Sequence, residues 1–429
     1  MKTRVSLLKK LAAIMLVGAM TVGITACDNS EPKESSSKDE STTSTTSSTE
    51  SKTEESASLV LWGAEDDQTM LKEMADAFVA DHPTYTVEVR VQGEDTAKDA
   101  ALNDLDVTAD VFAIAHDQLG ALVEAGAVYP NTLYVDNIKN DCTEAALTAA
   151  TYKDAVYGYP SSADTYFMYY DKSVFSEDDI KSFDKMLEVA KGAGKTVGFD
   201  MGNNYFTVSF WFANGVRLFG DTGSDLAGST FNSPEALAVA KYIATLKDKG
   251  VQNINDGDAT SAFTTSNLSA QITGSWKAND YKTALGDNYG VAPLPTINID
   301  GTDKQMVSFS GVKIYVVKSS TEYPEAAMQL AAFVTNEENQ AKRFADRSLL
   351  PVNKTVAADP SVTEDPTIAA QVAQTANSIP MPKLPEMSNF WSDSSSAVTK
   401  EIYEGTITEA NFQTKLDEWN ALFSTAIVE

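Results

Sequence analysis

The chain has 429 residues, a formal net charge of -28, two histidines and two cysteines. That length allows two or three domains. The acidic balance argues against nucleic acid and strongly anionic ligands through like-charge repulsion; so few His and Cys residues argue against a transition-metal site and a disulfide framework.

Lys2, Arg4, Lys9 and Lys10 precede an apolar run from Leu11 to Ile24, so residues 1–26 read as a signal peptide. The following Ile24-Thr25-Ala26-Cys27 resembles the lipobox of bacterial lipoproteins. That resemblance implies cleavage before Cys27 and a lipid on Cys27, against the alternative of an uncleaved membrane helix. Cys142 is then left without a disulfide partner. Residues 27–56 are a Ser/Thr/Glu-rich stretch with almost nothing apolar and are expected to be a disordered linker. A tether of this kind reaches roughly 30 Å. No later apolar run has the 18 or so residues that a membrane span needs.

Ser58 to Trp62 reads as a first strand, with Trp62 structural. Leu71, Met74, Ala75, Phe78 and Val79 recur at helical spacing, and Thr86 to Val91 alternates as a strand. Val111 to Ala115 is a short apolar strand ending in His116-Asp117-Gln118. A helix follows through Leu119, Leu122 and Val123, stopped by Gly126. This β-α-β alternation predicts a largely parallel sheet with helices on both faces. In such sheets ligands bind beyond the carboxyl ends of strands. Asp117 and Gln118 stand at such an end, either as hydroxyl-binding groups or, for Asp117, as a helix cap. His116 reads as structural.

Tyr152 to Tyr159 reads as a hairpin with Lys153-Asp154 at its tip. Pro160 to Tyr166 is polar, the first crossing between lobes is expected near Ala163 to Tyr166, and a second unit begins with a strand at Phe167 to Tyr170. In the aromatic run at 203–212, Phe206, Phe210 and Phe212 read as core, while Tyr205 has a polar handle suited to a cleft rim. Ser233 and Pro234 open a helix to Leu246. Gln271 to Gly274 is a short strand that places Trp276 at its end. Tyr289 to Pro295 and Val312 to Val317 read as strands, and Pro324 to Thr335 as a helix. Prolines keep Ile379 to Trp391 extended, a helix passes through Val398 and Ile402, and Phe412, Leu416, Trp419 and Phe423 line a last helix.

Several stretches together resemble the maltose/maltodextrin-binding proteins of ABC transporters: DVFAIAHDQLG at 110–120, YGYPSSADTYFMYYDKSVF at 157–175, NNYFTVSFWFANG at 203–215, ITGSW at 272–276, YGVAPLPT at 289–296 and MPKLPEMSNFW at 381–391. The resemblance runs from about Ser58 to Ile427. It implies an α/β, two-lobe periplasmic-binding-protein-like fold with an interlobe ligand cleft. The lobes expected are 57–164 with 313–363, and 165–312 with 364–429.

The resemblance also implies a ligand-binding set. Tyr205, Trp276 and Trp391 match the family's stacking aromatics, Asp117 its hydroxyl-binding carboxylate and Met381 a cleft-edge residue. Asp164 stands where the family has a longer acid, and Asp66 or Asp67 near a family lysine. Ile114 replaces a tryptophan, Gln118 an arginine and Asn203 a glutamate. Aromatic rings suit the C–H face of a pyranose, and carboxylates and amides suit its hydroxyl rim.

The expected protein is a non-enzymatic, monomeric receptor without cofactor or metal, lipid-anchored at the extracellular face of the cell membrane. It would pass an oligosaccharide, maltose or maltodextrin in the first instance, to the membrane permease subunits of an ABC importer. The alternatives are a same-fold receptor for another oligosaccharide or neutral solute, and an exported glycoside hydrolase, which would need two carboxylates flanking the scissile bond. No GxSxG or HExxH motif is present.

Overall fold

The computed structural model describes residues 56–425; the signal peptide, Cys27 and nearly all of the expected linker lie outside the described residues. Strand Ala57–Gly63 pairs in parallel with Tyr85–Val91 and with Val111–Ala115. The intervening helix Gln68–Asp81 buries Met70, Leu71, Met74, Ala75 and Phe78 against them, the one-face spacing of an amphipathic helix.

Two long strands then carry the chain from one lobe to the other. Tyr159–Asp171 and Ser308–Val317 run antiparallel, paired through residues 159–165 and 310–315. Beyond that overlap, Tyr166 to Tyr170 pairs with Leu268–Gly274, and Met168 to Asp171 with Tyr289–Ala292, both antiparallel. On the other side, Lys313 to Val317 pairs antiparallel with Val111–Ala115. The sheet is therefore mixed, where the β-α-β opening predicts a largely parallel one. The two crossing strands reverse direction at its centre, and the sequence alternation reports only the lobe interiors.

Two large apolar cores flank the crossing strands. One gathers buried residues between Ala57 and Tyr159 and again between Val312 and Val352; the other gathers residues between Tyr166 and Phe309 and between Met381 and Phe423. Trp62 belongs to the first core, and Phe206, Phe210 and Phe212 to the second.

Several expected elements need correction. The strand expected to begin at Phe167 begins at Tyr159 and takes in the polar run 160–166. Its hydroxyls are satisfied inside the sheet: Ser161 Oγ donates to the Lys313 carbonyl at 3.0 Å and Thr165 Oγ1 to the Phe309 carbonyl at 2.6 Å. Pro160 falls where the register shifts between Lys313 and Ile314; a bulge tolerates a residue with no N–H and turns neighbouring side chains. The expected helix from Pro234 to Leu246 is two pieces, Pro234–Ile243 and Leu246–Lys249. The extended run after Ile379 ends early, because Met387–Trp391 is a helical turn. The hairpin tip stands as read: Thr151–Tyr152 pairs with Ala155–Val156.

Candidate ligand-binding site

The turn after strand Val111–Ala115 is a 3-10 turn, His116–Gln118. His116 is buried and its Nδ1 accepts the Val312 N–H at 3.2 Å. Burial, with the nearby Lys383 charge, lowers its pKa to about 4, so it stays a neutral structural acceptor. Asp117 makes no cap bond. Its Oδ2 instead accepts the Trp391 indole N–H at 2.8 Å, a contact between the two lobes. Burial pushes the Asp117 carboxyl up to about 6, against the opposing pull of that indole and of the Lys98 charge. Gln118 Nε2 donates to the Glu94 carbonyl at 2.9 Å, while its buried Oε1 has no partner.

Asp164 lies in strand Tyr159–Asp171 opposite Gly311. Burial raises its carboxyl to about 6; the Lys313 ammonium opposes this, and Glu94 adds to it. The Tyr205 hydroxyl comes near enough to favour the Asp164 anion, but without full hydrogen-bond geometry, and the Tyr205 oxygen is buried and unpartnered.

Lys313 joins these groups. Its Nζ pairs with Glu94 at 2.5 Å and stands 5.7 Å from the Trp276 ring centroid. Burial disfavours its charge, yet Glu94, Asp164 and Asp67 together outweigh that and hold the ammonium above its ordinary range. The bulge after Lys313 is the local feature that sets this residue apart from its strand.

Trp276 follows strand Leu268–Gly274, and its indole donates to Asp256 Oδ2 at 2.8 Å. The same carboxylate oxygen takes the Thr273 hydroxyl at 3.1 Å, so the ring orientation is held from behind. Tyr205 lies 6.4 Å from Trp276 and 4.9 Å from Tyr166 between ring centroids. Trp391 packs on Phe390 at 4.8 Å and Phe309 at 6.0 Å. All three expected stacking aromatics are half-buried.

The other expected residues divide. Met381 is buried against Gly311, beside His116. Asp67 is buried and pairs with Arg347 at 3.1 Å, whereas Asp66 is exposed and receives Arg347 mainly through its backbone carbonyl at 2.8 Å. One needs correction as a direct contact. Ile114 is fully buried in the first core, because the pleat points it inward. Asn203 is exposed and caps helix Asn204–Ala213, accepting the Tyr205 N–H at 3.0 Å, which helps to position Tyr205.

The structure adds residues that the motifs do not mark: Lys313 and Glu94 in the charged cluster, and a second set where the segment 381–391 meets the first lobe. There Lys98 Nζ donates to Ser388 Oγ at 2.9 Å, and Lys383 Nζ to the Thr148 carbonyl at 2.6 Å. Gly120 is what allows the approach, since a Cβ there would overlap the Lys383 carbonyl. Lys98, Asp117, Gln118, Leu384, Ser388 and Trp391 are among the residues that close on one another here and leave no space for a water molecule. Aromatic faces, carboxylates and amides converge here from both lobes.

The family model for "bacterial extracellular solute-binding protein" matches residues 73–370. The galactooligosaccharide-binding protein of Bacillus subtilis (strain 168) is 28% identical over 411 residues, covering 91% of each chain. A maltooligosaccharide ABC transporter solute-binding lipoprotein of Streptococcus pneumoniae (strain ATCC BAA-255 / R6) is 27% identical over 297 residues, 66% of this chain and 69% of that one. Among solved structures, the maltodextrin binding protein MalE1 from L. casei BL23 without ligand is 31% identical with a TM-score of 0.75, covering 86% of this chain and 100% of that one. A further solved chain, with acarbose, is 33% identical with a TM-score of 0.79, covering 86% and 99%. The fold is thus the mixed α/β periplasmic-binding-protein fold of the maltodextrin-binding structures, and the chain belongs to the bacterial extracellular solute-binding protein family, whose members bind solutes and are not enzymes.

Proposed function

We propose that the protein is the sugar-capturing receptor of an ABC importer, with maltodextrins as its ligands, held by a lipid on Cys27 at the extracellular face of the membrane. The lobes are 57–164 with 313–363, and 165–312 with 364–429. The observation that carries the reading is the convergence of Tyr205, Trp276 and Trp391 with Asp117 and Asp164 at the lobe junction. Flat aromatic surfaces beside acceptor groups fit the C–H face and hydroxyl rim of a pyranose. The solved maltodextrin binding protein at 31% identity supports the maltodextrin choice.

The chain works as a monomer and does no chemistry. Contacts from both lobes favour the closed form, and closure is a population shift bounded by the sugar's differential affinity for the two forms. The permease subunits read that form.

A galactooligosaccharide is the second reading, favoured by the relative that matches over 91% of both chains. Calorimetric titration with maltotriose, longer maltodextrins and galactotriose, with a product assay on the same samples, decides between them. Saturable heat with a maltodextrin and no product supports the proposal; heat with galactotriose alone moves the ligand; heat with neither discards it.

A further inference from the structure

Outside the cleft, a cavity within the first lobe has a volume of about 410 Å³. It sits between helices Gln68–Asp81, Val135–Asp141, Pro324–Val334 and Glu337–Arg347, and shares no residue with the site above. Its volume falls within the roughly 300–1,000 Å³ of small-molecule sites.

Its walls have a definite chemistry. Phe78, Phe333, Tyr134 and Tyr159 contribute rings, with Phe78 and Phe333 5.4 Å apart and Tyr134 and Tyr159 6.4 Å apart. Asn336 and Asn353 contribute amides. Both use Oδ1 to cap helices, Asn336 towards the Asn339 N–H at 2.8 Å and Asn353 towards the Thr355 N–H at 3.0 Å. Those bonds fix the amide planes and leave each Nδ2 as a donor. Tyr159 is 1% exposed, and its hydroxyl has no hydrogen-bond partner. Buried polar groups are almost always paired, so this hydroxyl calls for a partner that the chain itself does not supply.

No lysine or arginine lines the cavity, which disfavours an anionic ligand, and Asp141 and Glu337 at its wall disfavour one further. Rings for a C–H face, fixed amides for hydroxyls and a wall without lysine or arginine, to which His82 adds an imidazole, together suit a small neutral polyhydroxylated molecule. We infer that this cavity is a second binding site, separate from the cleft, for a neutral sugar of one or two rings, with the Tyr159 hydroxyl as one of its hydrogen-bonding groups. The inference stands on the cavity's own walls and holds whatever the cleft binds.

The test uses D-glucose and maltose as probes, followed by ligand-observed saturation-transfer NMR on the whole protein and by diffraction from crystals soaked in each. Ala332→Trp places an indole in the cavity wall, and Tyr159→Phe removes only the hydroxyl. The expected result is a sugar seated against Tyr159 in the crystal, with a solution component that Ala332→Trp abolishes and Tyr159→Phe weakens about tenfold, one hydrogen bond's worth. Both variants should keep the wild-type response of the cleft to maltotriose or whichever sugar it takes. Sugar signals unchanged in both variants, or no sugar in the cavity at any soak, overturn the inference. Tyr159→Phe keeps the test decisive if Ala332→Trp misfolds.

Discussion

The Trp391 indole N–H donates to Asp117 across the lobe junction at 2.8 Å, so one side chain joins a ring face to a buried acceptor. Trp391→Phe keeps a ring and removes the N–H. It is expected to weaken oligosaccharide binding about tenfold, the equivalent of ~1.4 kcal/mol, while Trp391→Ala, losing the face as well, weakens it about a hundredfold. Titration of both variants separates the two contributions; equal losses would show that the ring face contributes nothing.

Lys313 holds two acids that would otherwise repel. It pairs with Glu94, with side chains only 17% and 15% exposed. Lys313→Met leaves Glu94 and Asp164 unbalanced in a poorly solvated place, so the variant should lose about 1–3 kcal/mol of stability and the Asp164 carboxyl should rise further. Denaturant unfolding and carbon-detected NMR titration read the two effects. An unchanged midpoint would mean that water already neutralises the cluster.

Acidity should move stability and affinity in opposite directions. Asp117 and Asp164 are both raised to about 6 by burial, above the ~3.9 of an unfolded aspartate. Between those values the folded chain holds more protons than the unfolded chain, so these two groups add stability as pH falls through 6. The same protonation removes the ionised acceptors, and sugar affinity should fall over that window. Melting curves and titrations from about pH 7.5 to about pH 5 check both slopes, and Asp164→Asn should flatten each. Parallel slopes would contradict the assignment.

Gly120 sets how closely the segment around Lys383 meets the first lobe. A methyl group in Gly120→Ala would collide with the Lys383 carbonyl and displace the Lys383 bonds to Thr148 and Thr151. The variant should weaken ligand binding about tenfold and enlarge the radius measured by small-angle scattering, with little change in helix content. Wild-type affinity would show that the segment yields freely.

The lobe interiors were legible in the sequence because one-face helices and short apolar strands carry their period openly: Met74 and Phe78 on one helix, Val111 to Ala115 in one strand. The crossing strand was not. Ser161 and Thr165 look like loop residues, and only the partner strand reveals that their hydroxyls bond Lys313 and Phe309 carbonyls. The site divides likewise. Trp276, Trp391, Tyr205 and Asp117 stand at the ends of elements and could be singled out by position. Ile114 and Asn203 occupy matched positions, but pleat direction and capping send them to the core and to a helix end. Lys313 sits inside an apolar run, where nothing local distinguishes a cleft lysine from an edge one; its acids come from residues 94 and 164, far along the chain.

Capture of an oligosaccharide between two lobes requires that the lobes close on it. The most direct measurement is the distance between spin labels at Val107 and Leu226, both exposed and one on each lobe, in a Cys142→Ser background, with and without maltotriose. Adding the sugar should give a shorter and narrower distance distribution, absent in Trp276→Ala. Saturable maltotriose binding with an unchanged distribution would contradict it.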